Sequence, residues 1–176
     1  MKRLLLLRHA KSGRDDPGLD DRDRPLSERG RNDAPRLGAY MRRKKYLPDL
    51  VYCSTARRTV ETWELVQPEL ATVARVEFLP SLYLASAGAM IGIIRGADNA
   101  AKTLLVIGHN PGLEECAAEL AGQPETPAEC ETQDIMDEKF PTAALAVLDF
   151  DIARWKDVAP DEGRLVNFIR PADLDD

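Results

Sequence analysis

Apolar residues come along this chain in short bursts separated by strongly polar stretches. Residues 4–7 are four consecutive leucines, the pattern of a strand buried on both faces. Runs at 50–53, 76–79, 103–107, 144–148 and 165–169 carry the same signature, and 103–107 is the clearest central strand. Helical spacing fills the intervals. Ala34, Leu37, Gly38 and Met41 make one apolar stripe. Pro35 interrupts it, since proline sits badly inside a helix. A short turn capped by Ser27 and ending near Gly30 resolves the conflict, with Asn32 capping the main helix and Pro35 in its first turn. Further helices are expected over 56–66, capped by Ser54, over 87–95 and over 113–120. Residues 15–25 read as loop, 123–141 as a long acidic loop or flap, and 170–176, above all 173–176, as a frayed tail.

Strands alternate with helices throughout. This predicts an α/β fold, a three-layer α/β/α sandwich around a mostly parallel central sheet. No repeat or linker divides the chain, so one domain over 1–176 is expected.

Composition narrows the function. With 24 basic and 30 acidic residues the formal charge is −6, which disfavours non-specific nucleic-acid binding. No apolar run approaches the ~20 residues of a membrane span. Cys53, Cys116 and Cys130 are an odd set without pair spacing, read as reduced thiols of a cytoplasmic protein rather than a disulfide frame or zinc site.

The chain has only two histidines, and both follow an apolar run. Arg8-His9 ends the first strand. Gly108-His109-Asn110 ends the strand at 103–107. A third run ends in Cys53-Ser54 and leads into Arg57-Arg58. Ligands of open α/β sheets gather at the carboxyl ends of strands. Taken singly, each feature has a bland reading: a hydrogen-bonded structural histidine, surface arginines, a glycine-proline loop. Taken together, they predict one cationic pocket without clustered metal ligands. Such a pocket suits a tetrahedral phosphoryl group, with guanidinium donors on its oxygens. A neutral imidazole can attack phosphorus and form a phosphohistidine, and a second imidazole, protonated once phosphate binds, can stabilise transition-state charge.

LLLLRHAKSG (4–13), RPLSERG (24–30), CSTARRTVET (53–62), LLVIGHNPGLEE (104–115) and KFPTAALAVLDFD (139–151) together resemble the histidine phosphatase superfamily, the phosphoglycerate-mutase-like fold. The RHAKS start and the HNPG segment are most similar to the SixA-like branch, associated with protein phosphohistidine phosphatase activity. The resemblance implies His9 as nucleophile, Arg8 and Arg58 as phosphate-binding arginines, and His109 as second catalytic histidine. Ser12 and Asn110 are further candidates for phosphate contacts, and Thr142 for shaping the pocket. Arg57 is the competitor of Arg58 and is expected to face away. No cofactor and no metal are expected.

Two departures matter. Ala10 stands where the family has glycine. The segment after the third strand, PSLYLASAGAM (80–90), lacks the glutamate common in members that cleave phosphate esters. An alkoxide leaving group needs a proton, whereas a phosphoramidate protonated beforehand leaves as a neutral amine. The missing acid therefore points to protein phosphohistidine, such as that of a signalling protein, with Asp16, Glu114 and Glu115 as weaker proton sources. A broad phosphomonoesterase and a non-catalytic phosphate-binding module are the alternatives, with no nucleic-acid or membrane partner expected.

Overall fold

A computed structural model describes residues 1–14 and 16–174. Six strands form one sheet: β1 (Lys2–Arg8), β2 (Leu50–Ser54), β3 (Arg75–Leu79), β4 (Thr103–Gly108), β5 (Leu145–Phe150) and β6 (Arg164–Ile169). Their order is β3-β2-β4-β1-β5-β6. The first four are mutually parallel; β5 runs antiparallel to β1, and β6 to β5. The expected mostly parallel α/β sheet is therefore present.

The leucine run works because β1 is central and covered on both faces. Leu5 and Leu7 join a core with Leu37 and Met41 of α1 (Glu28–Lys44) and Trp63 and Val66 of α2 (Arg57–Leu70). Leu4 and Leu6 face the opposite core, with Met90 and Ile94 of α3 (Ala87–Arg95), Leu113 and Ala117 of α4 (Gly112–Leu120), and Met136 of α5 (Pro127–Glu138). Successive side chains of a strand point to opposite faces, so a strand buried on both must be apolar at every position.

Four expectations are corrected. α1 is one continuous helix from Glu28, capped by Ser27, whose hydroxyl accepts from the Gly30 N–H, and Pro35 lies inside it. The proline forfeits one backbone bond, but Ala34, Leu37, Gly38 and Met41 are all buried around it, and that burial outweighs the loss. Ser54 is not the cap residue of α2; Ala56 holds that position without a side-chain bond, and the Ser54 hydroxyl accepts a long bond from the Ala56 N–H at 3.4 Å while its shorter contact is to His109. Residues 127–138 of the expected acidic loop form α5, with Thr126 accepting from the Glu129 N–H and Pro127 in the first turn. Finally, the chain from 170 to 174 is not frayed. Pro171–Asp173 form a 3-10 turn, Arg170 is paired with Asp173, and Leu174 is buried in the α1/α2 core. The last two residues of the expected tail, and Asp15 of the expected loop, lie outside the described residues.

Register positions the chemistry. Arg8 lies opposite Gly108 in the parallel β1–β4 ladder, so His9 and His109 stand one residue beyond paired strand ends. The His9 N–H still donates to the Gly108 carbonyl, at 3.2 Å. Because β5 is antiparallel, it begins at this same edge. Residues 140–144 thus run beside β1, with the Ala143 N–H donating to the carbonyls of Arg8 and His9.

Candidate active site

The two imidazole rings are 5.4 Å apart, centroid to centroid, tilted at 53°. Both are nearly excluded from water, His9 at 7% and His109 at 2% exposure. They share a cavity of about 690 Å³ with Arg8, Arg58, Ser12, Asn110 and Thr142. The structure thus brings every residue singled out for the phosphate pocket to one place. Arg57 is excluded from it: half exposed, it pairs with Glu61 at 3.7 Å on the outer side of α2.

Local bonds fix each ring. His9 Nδ1 lies 2.7 Å from the Ala10 carbonyl oxygen. A carbonyl only accepts, so Nδ1 carries the proton and Nε2 keeps a free lone pair. The Ala10 N–H donates to the Thr62 hydroxyl of α2, and the Ala10 methyl is fully buried. That is where the departure from glycine is accommodated. His109 Nε2 is 2.7 Å from the Ser54 hydroxyl, so the end of β2 holds the ring that the end of β4 supplies. The Tyr83 ring meets His109 edge-on at 5.5 Å.

Burial pushes the His9 pKa down to about 3, and His109 and the two arginines lower it further, against the carbonyl of Ala10. His109 is lowered to about 4, again chiefly by burial, then by Arg58. Exclusion of water is the larger cause and the neighbouring arginines the smaller one. Both rings are neutral at physiological pH, as a nucleophilic imidazole requires.

The arginines reach the cavity from different elements. Arg8 donates to the Phe140 carbonyl at 3.1 Å, which also accepts from the Asn110 amide at 2.9 Å. The Asn110–Pro111 peptide bond is cis. Arg58 stands in the first turn of α2, buried to 3% exposure. Arg8 Nε, Arg58 Nε and His109 Nδ1 are buried without a hydrogen-bond partner. Buried polar atoms are ordinarily satisfied, so unmet hydrogen-bonding capacity on three residues that line one cavity fits an oxyanion site. Ser12 lines the cavity as an acceptor of an Arg24 bond at 3.0 Å.

Sequence reasoning missed three participants. Asp21 holds the Arg58 fork, its carboxylate at 3.0 Å and its carbonyl at 2.7 Å. The same carboxylate accepts from the Tyr83 hydroxyl and pairs with Arg24. These bonds, the Tyr83 bond foremost, keep Asp21 ionised well below the usual carboxylate range. Tyr83 occupies the turn where the family's glutamate was sought. Ser54, the third, was legible only as a cap. Asp21 lay among several aspartates of 15–25 with no spacing to single it out. Asp16, Glu114 and Glu115, the alternative proton sources, do not line the cavity. The acidic stretch 123–141 does not cover it either: α5 borders β6, and only the Phe140 carbonyl and Thr142 reach the site from near its end.

Paired imidazoles and guanidinium groups at the carboxyl edge of an α/β sheet have the chemistry to hold and transfer a phosphoryl group. The chain belongs to the histidine phosphatase superfamily (branch 1), whose family model matches residues 4–112, and with it to the phosphatases. It is 38% identical over 165 residues to the uncharacterized protein Rv1276c of Mycobacterium tuberculosis, covering 94% of this chain and 99% of that one. It is 39% identical over 132 residues to the uncharacterized chloroplastic protein At3g52155 of Arabidopsis thaliana, covering 69% of this chain and 60% of that one. Among solved structures it resembles a chain assigned as the phosphohistidine phosphatase SixA from Nakamurella multipartitia (TM-score 0.82, 27% identity, 97% of this chain and 96% of that one). The protein histidine phosphatase SixA complexed with tungstate shares the fold (TM-score 0.77, 22% identity, 98% and 99% covered). Among the described residues no helix is long and apolar enough to cross a membrane.

Proposed function

We propose that the protein is a metal-independent phosphatase that works through a phosphohistidine on His9 and acts on phosphohistidine in proteins. The observation that carries this reading is the facing pair of neutral imidazoles beside unpartnered guanidinium nitrogens. In the reaction, Arg8 and Arg58 hold the phosphoryl oxygens. The His9 Nε2 lone pair attacks phosphorus, and the bond from phosphorus to the leaving nitrogen breaks, its electron pair returning to that nitrogen. A leaving imidazole already protonated on its other nitrogen departs neutral. Water then attacks the phosphorus on His9, the P–Nε2 bond breaks, and orthophosphate leaves. His109, held by Ser54, takes a proton while phosphate is bound and balances its charge.

The choice of leaving group rests on what the turn after β3 contains. Residues 80–86 bring no carboxylate, and Tyr83 is committed as a donor to Asp21. The Asp21 carboxylate, held strongly ionised, is a poor proton donor. A substrate that carries its own proton needs no acid. SixA, named a protein histidine phosphatase, shares this fold and supports the assignment by analogy.

The test compares turnover of phosphoramidate or free phosphohistidine with that of an alkyl phosphate such as glycerol phosphate, in chelator. The proposal expects a kcat/KM at least about 100-fold higher for the P–N substrates, the scale of one missing general acid. Equal turnover, or activity that needs added divalent metal, contradicts it.

A further inference from the structure

The cavity holds far more positive charge than one phosphoryl group requires. Arg8 and Arg58 are on its floor. Its outer wall adds Lys11, Arg14 and Arg29, and its one lining carboxylate is Asp21. This collection sits on a chain whose formal charge is −6. Lys11 and Arg14 are exposed and have no ion pair among the described residues. Arg29 is 71% exposed and only 3.6 Å from Asp33, a loose pairing within α1. A phosphoryl dianion bound between the floor arginines leaves Lys11 and Arg14 without counter-charge among the described residues.

The backbone under the cluster is nevertheless held firmly. The Ser27 N–H and hydroxyl both donate to the Lys11 carbonyl. Gly30 packs so closely on the same peptide that a Cβ there would stand 2.2 Å from the Lys11 oxygen. Lys11 is thus carried on fixed backbone, and Arg29 on α1, with both side chains exposed to water. Across the mouth, Leu84 also lines the cavity, 56% exposed and in the left-handed region at φ 50°. A leucine held in a disfavoured backbone conformation with its side chain in water contributes nothing to the core.

From these features we propose that the mouth is a docking surface for an acidic protein surface surrounding the phosphorylated histidine, with Lys11, Arg14 and Arg29 meeting carboxylates and Leu84 an apolar side chain. The proposal rests on the phosphohistidine reading above and names the kind of protein that brings the substrate. Three points favour a protein over a small bisphosphate. The outer cations are long and exposed, and Lys11 and Arg14 have no ion pair among the described residues, so gripping a small anion would cost their side-chain freedom. The connection between β3 and α3, residues 80–86, is too short to cap a small ligand. The exposed leucine offers contact area that a bisphosphate cannot use. On an otherwise acidic chain, a local cationic mouth also steers an acidic partner into one orientation.

The test is a binding measurement on the full chain. Two labelled peptides share a hydrolysis-resistant phosphonate analogue of phosphohistidine; aspartate and glutamate flank it in one, serine and glutamine in the other. Fluorescence anisotropy should give the acidic peptide at least about 10-fold tighter binding at low salt, with the gap closing near ~0.5 M salt. The double variant Lys11→Glu/Arg14→Glu should lose the preference, and the salt dependence of the wild type tests the idea without any variant. Equal affinity of the two peptides for the wild type overturns the proposal. So does a preference that survives the double variant, or inorganic pyrophosphate binding more tightly than the acidic peptide and displacing it, which would make the mouth a second-phosphate site. Binding needs no turnover, so absent phosphoramidate hydrolysis would count against the phosphatase reading alone.

Discussion

The floor and the rim of the cavity are built on opposite principles. On the floor, His9, His109 and Arg58 are almost wholly excluded from water, and each is placed by a strand end or a helix start. At the rim, Lys11, Arg14 and Leu84 extend into water from loops, and the one carboxylate, Asp21, is itself half exposed. The floor stores uncompensated donors and deprotonated rings, an arrangement that burial makes expensive and an incoming phosphoryl group relieves. The rim is cheap to hold and easy to vary. On the two proposals above, the same cavity divides a fixed chemical task from a task of recognition, and substitutions should divide the same way.

The largest effect should come from the floor. Arg58→Ala should lower kcat/KM for phosphoramidate by about 10²–10³-fold, the scale of one lost transition-state donor. Arg57→Ala, one residue away and facing outward, should leave it near wild type; steady-state kinetics on both variants break the comparison if the two behave alike. Gly112→Ala attacks the support between floor and rim. A Cβ at Gly112 would stand 1.8 Å from the Ala85 carbonyl oxygen, so the turn bearing Tyr83 and Leu84 must shift. Thermal unfolding should show a loss of about 1–3 kcal/mol. Tyr83→Phe is the mildest change. It removes one of the bonds on Asp21 and should alter KM only a few-fold, with kcat nearly unchanged.

The two rings also give a pH signature. His9 at about 3 and His109 at about 4 lie below the unfolded value of about 6.5. Between those values the unfolded chain binds more protons than the folded one. Stability should therefore be complete above pH ~6.5 and fall progressively as the pH drops through ~4 toward ~3. With only two histidines in the chain, their C–H resonances should remain at neutral-ring positions down to pH ~5. Titration of both near 6.5 would mean the rings are solvated and the floor is not closed.

Much of this was readable in the order of residues. The continuous leucines of β1 announce a doubly covered strand, and two histidines each ending an apolar run announce a shared edge. What escaped did so for physical reasons. α5 has little apolar face beyond Ile135 and Met136, so its period is invisible, although Thr126 and Pro127 are ordinary start signals. α1 contains a proline that local rules reject and tertiary burial tolerates. Ser54 has the same side chain whether it caps a helix or holds a histidine, and only the pairing of β2 with β4 decides between them. Asp21 and Tyr83 meet across 62 positions of sequence, a separation that no local pattern records.

Phosphoenzyme trapping tests the central claim most directly. The wild-type chain would be mixed with phosphoramidate, denatured in alkali to preserve P–N bonds, and mapped by mass spectrometry. The account predicts a single phosphoryl group on His9, absent in His9→Ala and still formed, more slowly to hydrolyse, in His109→Ala. A label on His109, or steady hydrolysis by His9→Ala at the wild-type rate, would contradict it.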